Sequence, residues 1–138
     1  MGPYCAVPVW SRRGTSSGAF FDRSDDDGAT WQATPLLEID DSKKPNTGLI
    51  QPTLWHSDKA GAQVHALMRS NSGSVFRADS QDGGRSWGKA YRTKIPNNNS
   101  GIDVAKLPGG ELILAHNPVG SDWGSRWPLR LSMSRDNG

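Results

Sequence analysis

The chain has 138 residues, enough for one ordinary domain, with 16 Lys and Arg against 14 Asp and Glu. A net charge of +2 excludes a strongly cationic nucleic-acid binder read from bulk charge, and no apolar run approaches the length of a membrane-spanning helix. One cysteine, Cys5, excludes an intrachain disulfide scaffold; no signal peptide is visible at the start, and the compartment stays open.

Leu, Ile, Val and Phe together number only 24, a composition that leans toward disorder. The small net charge, six tryptophans, 16 glycines and 9 prolines argue instead for short strands, tight turns and tryptophan in the core. In chain order the predicted strands are Cys5–Trp10, Ala19–Arg23, Trp31–Leu37, Leu49–Trp55, Gln63–Met68, Ser74–Asp79, Lys89–Lys94, Ile102–Leu107, Glu111–His116 and Leu129–Met133. Apolar residues alternate within Val64–Met68 and Leu129–Met133, the pattern of a half-buried strand. Between the strands lie turn sequences such as Asn71-Ser72-Gly73 and Pro108-Gly109-Gly110, and nowhere does helical spacing persist. The fold class is therefore all-β.

An internal repeat sets the architecture. Ser24, Asp26, Gly28, Thr30 and Trp31 recur as Ser80, Asp82, Gly84, Ser86 and Trp87, and a third copy opens at Ser134, Asp136 and Gly138. The serines step by 56 and then 54 residues, and each follows a short strand. A period near 50 with four strands per unit is the pattern of a propeller blade. In such a turn the Ser and Asp side chains accept backbone N–H groups, the glycine supplies positive φ, and Trp31 and Trp87 are expected to be buried beneath equivalent turns. The consecutive Asp25, Asp26 and Asp27 could also be read as a metal loop, but the second copy keeps only Asp82, so no metal site is assigned.

The motif resembles the Asp-box, or bacterial neuraminidase repeat, of sialidases and related β-propellers. Ile50–Leu54, Ala66–Ser70, Pro96–Asp103 and Leu107–Leu114 are similar to the predicted-neuraminidase branch of that superfamily. The resemblance implies a partial β-propeller of sialidase type, about two and a half four-stranded blades, placed near residues 1–40, 48–95 and 101–138. Open blade edges would offer unpaired strand groups, so self-association is expected.

Strand order puts the Asp-box turns on one face and the loops 11–18, 38–48, 69–73, 95–101 and 117–127 on the other. The resemblance places the site on this second face, where Arg12, Arg13, Lys43, Lys44, Asn46, Asn97 and Asn98 add cations and amides suited to an acidic glycan. The candidate substrate-binding residues are Arg69, Gln51, Asn99, Asp103, Asn117 and Arg126. Arg69 ends a strand and is placed to grip a carboxylate bidentately. Asp103 and His116 are the candidates for acid–base work. By resemblance, turnover would require three arginines, a tyrosine–glutamate pair and an acid aspartate. With only Tyr4, Tyr91, Glu38 and Glu111 available, no convincing pair exists, and catalysis by this chain alone is not expected.

The reading is a sialidase-like propeller fragment that binds acidic glycans, without a cofactor, nucleic acid or membrane partner. Its alternatives are a non-catalytic carbohydrate-binding or assembly module and a relative of uronic-acid propeller lyases, which would use a His or Tyr base.

Overall fold

The computed structural model describes residues 7–13, 16–44 and 46–138, with side chains from residue 18 onward. Eleven strands form three sheets among the described residues. The first holds β1 (Val7–Arg13), β2 (Ser16–Arg23) and β3 (Gln32–Ala33). The second is ordered β4 (Ile39–Asp40), β8 (Ala90–Pro96), β7 (Ser74–Ser80), β6 (Val64–Ser70), β5 (Leu49–His56). The third pairs β9 (Asp103–Lys106), β10 (Leu112–His116) and β11 (Arg130–Ser134). Every pairing is antiparallel except β4 on β8.

That parallel pairing corrects the expected single strand Trp31–Leu37. Pro35 has no N–H to give a ladder, so the strand stops after Ala33. The chain then crosses between sheets: Leu37 N donates to Ala19 O (2.9 Å) and Ala90 N to Glu38 O (2.7 Å). Asp41, just past β4, fastens the crossing. Its carboxylate accepts Arg92 Nη2 (2.9 Å), Thr47 Oγ1 (2.5 Å) and Ser72 Oγ (3.1 Å).

Two cores separate the three sheets. Ala19 and Phe21 of β2 pack with Leu49, Ala66, Met68, Phe76 and Ala78. On the other side of the middle sheet Trp55, Leu67 and Val75 pack with Leu112 and Leu114. The middle sheet is thus covered on both faces, which is why Val64 through Met68 are all buried rather than half-buried as their alternation predicts. Leu131 and Met133 of β11 alternate as expected, yet both are exposed, because no described residue covers that face.

The first two repeat turns share one hydrogen-bond pattern, and the third repeats its serine half. Ser24 Oγ accepts Gly28 N (2.8 Å), and Asp26 accepts Thr30 N (2.8 Å) and Thr30 Oγ1 (2.6 Å). Ser80 and Asp82 repeat it with Gly84 and Ser86, and Ser134 accepts Gly138 N (2.7 Å). Gly28, Gly84 and Gly138 have φ of 90°, 83° and 90°, a region where a Cβ strains the backbone. The aspartates are engaged by their own turns, and Asp82 is held at about 2: burial pushes it up, but the bonds from Ser86 and Ser80 outweigh this.

The two box tryptophans are not equivalent, which corrects the expectation that both are buried. Each indole N–H donates to its own turn glycine, Trp31 to Gly28 O and Trp87 to Gly84 O (3.1 and 3.2 Å). Trp87 also stacks on Phe21 of the preceding sheet, ring centroids 4.1 Å apart, and is half-buried. Trp31 has no such neighbour among the described residues and is 42% exposed. Trp87→Ala is accordingly expected to cost about 3 kcal/mol and Trp31→Ala less than about 1 kcal/mol, read by urea unfolding. Equal losses would contradict this packing.

Candidate functional site

β6 runs away from the box turns and delivers Arg69 to the opposite end of the middle sheet, opposite Ile50 of β5. Between Ile50 and Thr53 the register of β5 slips at a bulge. Gln51 sits in that bulge with φ 51°, a left-handed backbone unusual for glutamine. The bulge aims its side chain at Arg69, whose Nη1 donates to Gln51 Oε1 (2.8 Å).

The second partner comes from the loop after β8. Asn99, with φ 62°, accepts Arg69 Nε (3.2 Å) and Nη2 (3.1 Å) on one Oδ1. Its Nδ2 donates to Asp122 Oδ1 (3.0 Å). Asn97 and Asn98, both fully buried, build this loop rather than line it. Asn97 Oδ1 accepts Ser70 N and Asn99 N (3.1 Å each), while Asn98 Nδ2 donates to Gly124 O (3.1 Å) and Ser125 O (2.7 Å).

Two neutral oxygens therefore hold the guanidinium, and three of its five N–H groups are used among the described residues. Its pKa is pushed down, first by partial burial and then by the Arg126 charge, with Asp122 opposing. An arginine stays charged at neutral pH regardless. The site thus presents a half-buried cation beside a second cation, with two N–H groups left to donate. An incoming carboxylate would relieve both the desolvation and the repulsion.

The remaining sequence candidates lie around this cluster in different roles. Asn117 is buried under the 117–129 loop, where Nδ2 donates to Arg126 O (2.6 Å) and Pro128 O (3.0 Å) and Oδ1 accepts Ser100 Oγ (2.7 Å). Asp103 begins β9 and accepts Thr53 Oγ1 (2.7 Å) two residues past the bulge. His116 is buried with Nε2 on Ser132 Oγ (2.9 Å), and burial pushes its pKa down, so it is neutral at physiological pH. Tyr91 lies on β8, between β4 and β7, and donates to Asp79 Oδ2 (3.0 Å); burial raises its pKa. Glu38 pairs with Lys89 (3.2 Å). Tyr4, Arg12 and Arg13 lie outside the described side chains. Asp122, which anchors Asn99, was not singled out from sequence; the only signal for it was its place in a loop already assigned to this face.

The profile of the BNR repeat-like domain matches residues 4–138. No curated protein matches the chain. Among solved structures, a protein of unknown function from Dyadobacter fermentans is 18% identical with a TM-score of 0.66, over 94% of this chain and 33% of that one. A variant of the NanB sialidase from Streptococcus pneumoniae is 18% identical with a TM-score of 0.67, over 96% of this chain and 20% of that one. A further NanB structure gives 20% identity and 0.61, over 93% and 19%. These likenesses carry the sialidase-type propeller fold, and the chain spans a fifth to a third of the length of the proteins it resembles.

Proposed function

Since the chain belongs to the BNR repeat-like domain family, we propose that it binds the carboxylate of an acidic sugar at Arg69 and does not hydrolyse glycosides by itself. The observation that carries this reading is the Arg69 guanidinium, held by Gln51 and Asn99 with two N–H groups unassigned beside Arg126. Gln51 and Asn99 position the cation, Arg126 adds long-range attraction, and Asp103 lines the neighbouring inner strand.

Tyr91 is bound to Asp79 and Glu38 to Lys89, so neither forms a tyrosine–glutamate nucleophile. One acid without a positioned partner gives little acceleration. His116 is buried against Ser132 and the Tyr91 hydroxyl is bound to Asp79, which argues against either as the base of a uronic-acid lyase. Titration with N-acetylneuraminic acid or glucuronic acid, run beside a fluorogenic sialoside assay, tests the reading: saturable binding without hydrolysis supports it.

A second reading, an assembly module, is favoured by the repeat itself. Three residues before each box serine stand Phe21, Arg77 and Leu131. Phe21 carries Trp87, and Arg77 Nη1 donates to Asn137 O (2.9 Å) and Gly138 O (2.5 Å) of the third box. Leu131, at the third equivalent position, is 69% exposed, and Trp31 has no aromatic seat among the described residues. The complementarity fits head-to-tail association of two copies. Sedimentation is expected to show association that rises with concentration and weakens in Leu131→Asp; a monomer at all concentrations would contradict it.

A further inference from the structure

Loop 121–128 is tied down by hydrogen bonds from two buried asparagines and from Asn99. Its backbone carbonyls accept Asn98 at Gly124 and Ser125, and Asn117 at Arg126 and Pro128, while Asp122 takes Asn99 Nδ2. Within it Gly124 N donates to Ser121 O (2.8 Å) and Trp127 N to Ser125 Oγ (3.1 Å). Trp123 is 73% and Trp127 80% exposed. Trp123 moreover has φ 55°, a left-handed conformation that costs a bulky residue energy and that clusters at binding sites. The same loop supplies Asp122 and Arg126 to the surroundings of Arg69.

We propose that Trp123 and Trp127 form an aromatic subsite next to Arg69, which stacks on the apolar C–H face of a second pyranose. This rests on the acidic-sugar reading and narrows it: the ligand is an acidic oligosaccharide, its charged residue on Arg69 and the adjoining neutral residue on the indoles. Four features converge on this assignment. The backbone that bears the indoles is tied down, the same loop brings Asp122 and Arg126 to the surroundings of Arg69, Trp123 is held out at a conformational cost, and an amphipathic ring suits a sugar with one apolar face.

The test compares N-acetylneuraminic acid with sialyllactose on the full chain. Sialyllactose is expected to bind roughly tenfold more tightly than the free sugar. Trp123→Ala and Trp127→Ala bring sialyllactose to the monosaccharide level and leave monosaccharide affinity unchanged, which also reports an intact fold; Trp127→Phe keeps part of the difference. Arg69→Ala weakens both ligands. Equal affinity of the parent for both sugars, or a ratio untouched in the tryptophan variants, overturns the subsite while the Arg69 reading stands. If neither sugar binds the parent, both proposals fall.

Discussion

Arg69→Ala is expected to weaken N-acetylneuraminic acid binding by about 100-fold, because each charge-assisted hydrogen bond to a carboxylate contributes about 1.5–3 kcal/mol and this group offers two. Arg69→Lys keeps the charge and loses the fork, so a smaller loss of about tenfold is expected. Gln51→Gly separates positioning from charge. Glycine is at ease at the φ of 51° that Gln51 adopts, so stability holds or rises. The guanidinium loses its Nη1 partner, and affinity falls. Retained affinity in Gln51→Gly would show that the bulge does not orient Arg69. Added salt should weaken binding in the parent more than in Arg126→Ala, since Arg126 acts through the field rather than by contact.

Asp41→Ala is expected to cost about 3–5 kcal/mol of folding stability, the range for removing one member of a buried ion pair. The Asp41 carboxylate is 3% exposed, and Arg92 would be left facing it with no counter-charge. Arg92 also donates to Ser72 O (2.7 Å), so the loss would loosen the 39–48 crossing that feeds β5 and its bulge. The pH dependence has a definite sign. Burial by itself raises the Asp41 pKa, but bonds from Thr47, Arg92 and Ser72 bring it from 3.8 to about 2. A carboxylate depressed on folding stabilises fully above its unfolded value and loses that contribution as the pH falls from about 4 to about 2. The contribution is roughly 2 kcal/mol. Urea unfolding at pH 7 and at pH 3 should therefore show the parent losing more stability than Asp41→Ala. Parallel losses would remove Asp41 from this role.

The contrast between these two residues shows what a sequence of this kind reveals. The Asp-box turns are local, closing within four residues, and so Ser24, Asp26 and Gly28 could be read directly. Arg69 and Gln51 were legible as strand ends on one face, since alternating hairpins fix which loops share it. The Asp41–Arg92 pair spans 51 residues and leaves no periodic trace. The role of Asn97 and Asn98 as buried scaffold was equally hidden, because amides that face a ligand and amides that tie a loop look the same in sequence. Alternation misread β6, since it reports which face is apolar and not whether a second sheet covers the other. The two box tryptophans look identical in sequence, and among the described residues Phe21 lies beneath Trp87 and no ring lies beneath Trp31.

The proposal is that Arg69 binds a carboxylate and that this chain does not turn it over. It is tested most directly by titrating one preparation of the chain and its Arg69→Ala variant with N-acetylneuraminic acid by isotope-edited NMR, with a fluorogenic sialoside added to a second aliquot. The expected result is saturable shifts for the parent, with residues 51, 69 and 99 the most affected, their loss in the variant, and no fluorophore released by either. Unchanged binding in Arg69→Ala, no binding by the parent, or sialoside hydrolysis abolished by Arg69→Ala would each contradict the account.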